Sequence, residues 1–141
     1  MRTKLKLPAH FAFTTEMQVR INDVNYAGHL GNDHILSLIH EARARYLKQF
    51  GCTELDVFGT ATIMVDAVVV YKSEAFHGDR ITVQVTTDAF TKHGCDFIYR
   101  LTNKETRKEI ARAKTGLVFF DYDKRKMTLV PDEFRILCDP D

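Results

Sequence analysis

The chain has no tryptophan, three cysteines, three prolines and seven glycines in 141 residues. So little proline and glycine excludes a collagen-like or low-complexity chain. Cys52, Cys95 and Cys138 are widely spaced and form no C-x-x-C pair. They supply neither a disulfide framework nor a zinc knuckle, and read as reduced thiols in the cytoplasm. A long apolar run is missing too. The longest covers residues 67–71, far short of the roughly 18 needed to cross a membrane. The segment 1–10 carries basic residues but no apolar stretch, so no secretory signal is expected. Nor does one charge dominate. Twenty Lys and Arg against nineteen Asp and Glu leave a net +1, too even for a surface built to hold nucleic acid.

What is present suits a globular protein: 45% hydrophobic and 28% charged residues, over the length of one domain. We expect a single domain over 1–141, with 1–15 a lead-in and 131–141 a peripheral tail. Residues 16–20 alternate polar and apolar and predict a short strand. Residues 22–32, rich in Asn, Asp and Gly, predict a loop. The spacing of Ile35, Leu38, Ile39, Ala42 and Tyr46 predicts a helix over 33–50, capped by Asn32 or Asp33 and stopped at Gly51. Strands are expected over 61–76, 80–90, around 97–102 and over 109–122, joined by turns too short for anything but antiparallel pairing. The class is α+β: a curved antiparallel sheet wrapped round one central long helix.

The loop before the helix concentrates carboxylates, carboxamides and imidazoles beside Gly28 and Gly31. The start of a helix presents backbone N–H groups and a positive dipole end, suited to a developing oxyanion. Glycines there allow close approach to the backbone. Against this, Asn, Asp and Gly are also what any loop and cap would use.

The stretch V-R-I-N-D-V-N-Y-A-G-H-L-G-N-D-H, from Val19 to His34, followed by Glu41-Ala-Arg43, resembles the hotdog-fold acyl-CoA thioesterases. The 4-hydroxybenzoyl-CoA thioesterase group is nearest in pattern, reading R-x-x-D-x-D-x-x-G-H-x-N-N. Two further stretches are similar to its later motifs: Val70 to Arg80 before the second hairpin, and Val130-Pro-Asp-Glu-Phe-Arg135 near the end. The resemblance spans about residues 16–135. It implies hydrolysis of an acyl-CoA thioester to a free acid and coenzyme A. The carbonyl oxygen would lie at the start of the central helix. A carboxylate of the loop would attack it or activate a water. It also implies a homodimer or homotetramer with sites between subunits, and no cofactor or metal beyond the coenzyme A of the substrate.

One position departs from that pattern. The family's first Asp falls on Asp23, but its second, the usual catalytic carboxylate, falls on Asn25. A carboxamide is neither nucleophile nor base. Three readings follow. Another carboxylate, Asp23, Asp33 or Glu41, supplies the base, with Asn25 orienting water or carbonyl and His29 sharing the proton work. Alternatively the pocket binds an acyl-CoA without hydrolysing it. Or the scaffold carries other chemistry. The catalytic candidates are Asp23, Asn25, His29 and Glu41, and those for substrate binding are Tyr26, Gly28, Gly31, Asn32 and Asp33. Glu41 has a plainer role open to it, an ion pair with Arg45 one helical turn on. His29, His34 and His40 lack the i, i+4 spacing of a helical metal pair. Asp66, inside an apolar strand, is expected at an edge facing water.

Overall fold

In the computed structural model, which describes residues 2–138, the periodicity of residues 33–50 becomes one long helix, α1 (His34–Lys48). Ile35, Leu38, Ile39, Ala42, Tyr46 and Leu47 form its buried stripe. Arg43 is buried as well. A buried charge is tolerable only when paired and hydrogen-bonded. Its guanidinium donates to Glu54 Oε1 at 2.9 Å and to the Tyr99 hydroxyl at 3.0 Å. Gly51 ends the helix as expected, at φ +73°, with its N–H on Lys48 O and the next on Leu47 O. The start differs from expectation. Asp33 is itself helical in backbone and makes no capping bond, and Asn32 Oδ1 accepts only from the Asp33 N–H.

Six strands make one antiparallel sheet: β1 (Phe13–Gln18), β2 (Ala61–Tyr71), β3 (Arg80–Asp88), β4 (Gly94–Asn103), β5 (Glu109–Asp121) and the short β6 (Lys126–Met127). The order across it is β1-β3-β4-β5-β2, with β6 beside β5. Alternation places Ile81, Val83, Val85, Phe97, Tyr99, Leu101, Ala111 and Ala113 in the core against α1. The sheet is curved, and among the described residues α1 is the only long helix.

Three expectations shift. β1 starts at Phe13, inside the supposed lead-in, with Phe13 opposite Val85. Phe-Thr-Thr has strand propensity but is too short and polar to show a period. Next, β2 stops at Tyr71 rather than running to 76. From there the chain leaves the sheet and pairs with the polar loop: Leu30 donates to Ala75 O at 2.7 Å, and His29 bridges to Phe76. Finally, the tail over 131–138 is not peripheral, while 139–141 lie outside the described residues. A second helix, α2 (Asp132–Cys138), inserts Phe134, 1% exposed, among Phe90, Phe97 and Phe119. One isolated aromatic carries no periodic signal, which is why the sequence did not reveal it.

Asp66 lies on edge strand β2 as expected, at a bulge between Met64 and Asp66. Its Oδ1 accepts from the Gly116 N–H and from Lys114 Nζ, both at 3.0 Å. A Cβ at Gly116 would meet that carboxylate at 2.5 Å, so a side chain there would displace Asp66 from the Gly116 N–H.

Candidate active site

The polar loop is two tight structures in series. A 3₁₀ turn, Ile21–Asp23, comes first. Asp23 turns inward beneath it and accepts from the Arg20 N–H at 2.8 Å and from the Arg20 guanidinium at 3.3 and 3.2 Å. A small hairpin follows. Val24 bridges to Leu30, Asn25 N–H donates to His29 O at 2.9 Å, and Gly28 N–H returns to Asn25 O at 3.0 Å. Gly28 sits at φ +84°, a left-handed conformation that glycine adopts without strain.

That hairpin fixes the Asn25 amide. Its Oδ1 accepts from the Ala27 N–H at 2.9 Å and from the His29 N–H at 3.4 Å. The acceptor end is therefore spent on the turn, and the network assigns the remaining Nδ2 as the free end, a donor only. Asn25 thus offers a donor where the resemblance implies a carboxylate.

A cleft of about 720 Å³ opens beside this turn. Asn25, Tyr26, His29, Asn32 and Asp33 line it from the loop, and Tyr71, Lys72, Ser73 and Glu74 from the chain leaving β2. Tyr71 donates to Asn32 O at 3.0 Å and ties the two walls together. His29 Nε2 lies 3.8 Å from Glu74 Oε1, with the imidazole half-buried and packed edge-on against the Phe76 ring. Tyr26 stands at the rim, wholly exposed. The expected backbone donors are largely engaged. Gly31 N–H is held by Asp23 O and Asp33 N–H by Asn32 Oδ1. Among the described residues the Asn32 N–H has no protein acceptor.

Asp23 and Glu41 are not part of this cleft. They line a second one, about 480 Å³, on the β1 side of α1, with Arg20 and Arg45. Asp23 is 2% exposed. Burial alone would raise its pKa, but the hydrogen bonds and charge of Arg20, with His34 nearby, outweigh burial and hold the carboxyl below its usual range. Glu41 Oε2 pairs with Arg45 Nε at 2.6 Å, the plainer role open to it. The expectation that Asp23 shares a side with Asn25 required an extended backbone; the 3₁₀ turn removes it. The histidines also separate: His34 lies near Asp23 and Asp33, and His40 near Glu54. Among the described residues no group of three His, Cys, Asp or Glu side chains could hold a metal ion.

The structure thus brings together Asn25, Tyr26, His29, Asn32 and Asp33 and adds Tyr71, Ser73 and Glu74, which sequence reasoning did not single out. The motif around residues 70–80 was visible, but nothing in it indicated that the chain would leave the sheet and face the loop.

Comparison with known proteins bears on the family and the fold. A family described as the thioesterase-like superfamily matches residues 19–136. A 1,4-dihydroxy-2-naphthoyl-CoA hydrolase of Synechocystis is 27% identical over 133 residues, covering 92% of this chain and 96% of the relative. One of the same name from Microcystis aeruginosa is 27% identical over 123 residues, 85% of this chain and 88% of its own. The crystal structure of a 1,4-dihydroxy-2-naphthoyl-CoA thioesterase from Synechocystis superposes with a TM-score of 0.82 at 27% identity, over 90% of this chain and 96% of that one. A probable thioesterase from Escherichia coli gives 0.75 at 20% identity, over 89% and 94%. The architecture is the hotdog fold.

Proposed function

The chain belongs to the thioesterase-like superfamily, and from that premise we propose that it hydrolyses an acyl-CoA thioester to the free acid and coenzyme A. The observation that carries this reading is the cleft at the start of α1. It gathers Asn25, whose Nδ2 is unengaged, and Asn32, whose N–H is unengaged, into one lining with the imidazole of His29. Such donors, fixed before the reaction, stabilise the oxyanion that forms when water adds to a thioester carbonyl. Gly28 leaves open space for the substrate to approach, and Tyr26 and Asp33 contact it at the rim. The relatives favour an aromatic, hydroxylated acyl group such as 1,4-dihydroxy-2-naphthoyl. No cofactor is called for beyond the coenzyme A of the substrate, and we place the protein in the cytoplasm.

We further propose that it works as a homodimer or homotetramer. β2 is an edge strand with Met64, Val65 and Tyr71 exposed. An uncovered apolar edge strand is a pairing surface for a second copy. Light scattering should give a mass of at least twice 16.2 kDa; a monomer at micromolar concentration would overturn this.

The hydrolase reading is tested by thiol release from short, long and aromatic acyl-CoAs. Turnover highest on aromatic acyl-CoA is expected. Binding without thiol release from any member of the panel would overturn hydrolysis in favour of an acyl-CoA-binding protein, the reading that Asn25 in place of Asp would then favour.

A further inference from the structure

With Asn25 unable to take a proton, the reaction needs another acceptor. Asp23 is buried in its clamp with Arg20, and Glu41 is paired on the far side of α1. Asp33 lines the rim of the cleft, with its Oδ2 3.9 Å from His34. Within the cleft the imidazole of His29 and the carboxylate of Glu74, 66% exposed, stand side by side. Resting on the hydrolase reading, we propose that His29 is the general base of this reaction and Glu74 its positioning residue.

The geometry fits one water. The 3.8 Å between His29 Nε2 and Glu74 Oε1 is too long for a direct hydrogen bond. It leaves room for a single water about 2.8 Å from each atom, donating one hydrogen to the imidazole and one to the carboxylate, with the two acceptors about 85° apart at the water, so that both bonds bend inward from the water's own wider angle. Its lone pairs then face the cleft. The imidazole is not free to swing away. Its backbone is paired on both sides, to Asn25 and to Phe76, and its ring packs edge-on against Phe76, centroids 6.4 Å apart.

In the reaction the water oxygen bonds to the thioester carbonyl carbon while its proton passes to His29 Nε2. The carbonyl electrons move to oxygen, which Asn25 Nδ2 and the Asn32 N–H stabilise. As the carbonyl re-forms, the C–S bond breaks. The departing sulfur takes the proton from the imidazolium, leaving acid, thiol and the original imidazole. One water is consumed and no proton is left over. Glu74 holds the water against the imidazole throughout.

The test uses the full chain, the best substrate of the acyl-CoA panel and four variants. His29→Ala should lower kcat about 10²–10⁴-fold with little change in KM, and added imidazole should restore part of the loss. Glu74→Gln should lower kcat by up to about a hundredfold at unchanged KM, with Glu74→Asp recovering part of it. Full turnover in His29→Asn overturns the base. A Glu74→Gln variant with wild-type kcat and a lower KM overturns the positioning role, leaving Glu74 only as a charge that repels the phosphates of coenzyme A. A wild type that releases no thiol overturns the hydrolase reading and this assignment with it, whereas active wild type with active variants overturns the assignment alone.

Discussion

On the β1 side of α1, the Asp23 carboxylate accepts three bonds from Arg20, and Glu41 is closed by Arg45. On the β2 side, His29 and Glu74 stand 3.8 Å apart with no bond between them, and Asn25 lines the same cleft with only its Oδ1 engaged. Both flanks hold carboxylates, and both clefts draw lining residues from the loop that leads into α1. The difference is what remains to be satisfied. A carboxylate that already accepts its full set of bonds holds the fold together and has little left to give a substrate. Groups fixed by their backbone but unfilled at their tips are what a reaction can use. The sharpest single contrast is between Asp23 and Asn25, two residues apart in the chain. One is a charge spent on structure, the other a neutral donor held ready.

The most severe attack on this contrast is Asn25→Asp. The new carboxylate keeps an acceptor for the Ala27 and His29 N–H groups, so the turn should survive. It removes the donor and adds a negative charge beside Glu74. We expect kcat to fall about 10²–10³-fold with the melting temperature within a degree or two. A kcat at or above wild type would mean that the cleft wants a carboxylate there and that the donor role is wrong.

Asp23→Asn should do the reverse. It weakens charge-assisted bonds under a buried turn, a loss of about 1–3 kcal/mol of stability, measured by denaturant unfolding. Turnover per folded molecule should be nearly kept. If kcat falls while stability holds, the two flanks are not separate.

The same clamp predicts a pH dependence. Asp23 has a depressed carboxyl pKa in the folded state, so folding favours its charged form. That stabilisation is complete above the unfolded-chain value, about 3.9, and is lost as pH falls through the lower folded value. Wild type should therefore lose stability below about pH 4 more steeply than Asp23→Asn does. Parallel acid-unfolding curves for the two proteins would show that the clamp is not what holds Asp23.

How far the sequence carried this picture follows from what kind of signal each feature leaves. The helix and the β3–β5 meander were legible because Ile35 to Tyr46 and Ile81 to Leu101 repeat at their own periods. The stop at Gly51 was legible from its conformational demand. The loop was marked out by composition, and Asn25, Tyr26, His29, Asn32 and Asp33 do line one cleft. Which way Asp23 turned was not legible, because a three-residue 3₁₀ turn has no period and reverses the side a residue faces. Glu74 was hidden for a related reason. It lies far from the loop in sequence, and only the departure of the chain from β2 after Tyr71 carries it to His29. Phe134 needed the same kind of long-range knowledge.

The smallest expected effect is also the most discriminating, because it concerns a residue that the motif alone would have called functional. Glu41→Ala removes an exposed i, i+4 pair, worth about 0.3–0.5 kcal/mol. Arg45 keeps its bonds to Thr15 Oγ1 and Glu16 O, so β1 should stay tied to α1. The melting temperature should drop by no more than about 2 °C, and kcat and KM should not move. A tenfold loss of kcat with so little loss of stability could not come from a broken surface pair. It would mean that the β1-side cleft reaches a reacting centre in the assembled oligomer, and that the division between a spent flank and an open one holds only within a single chain.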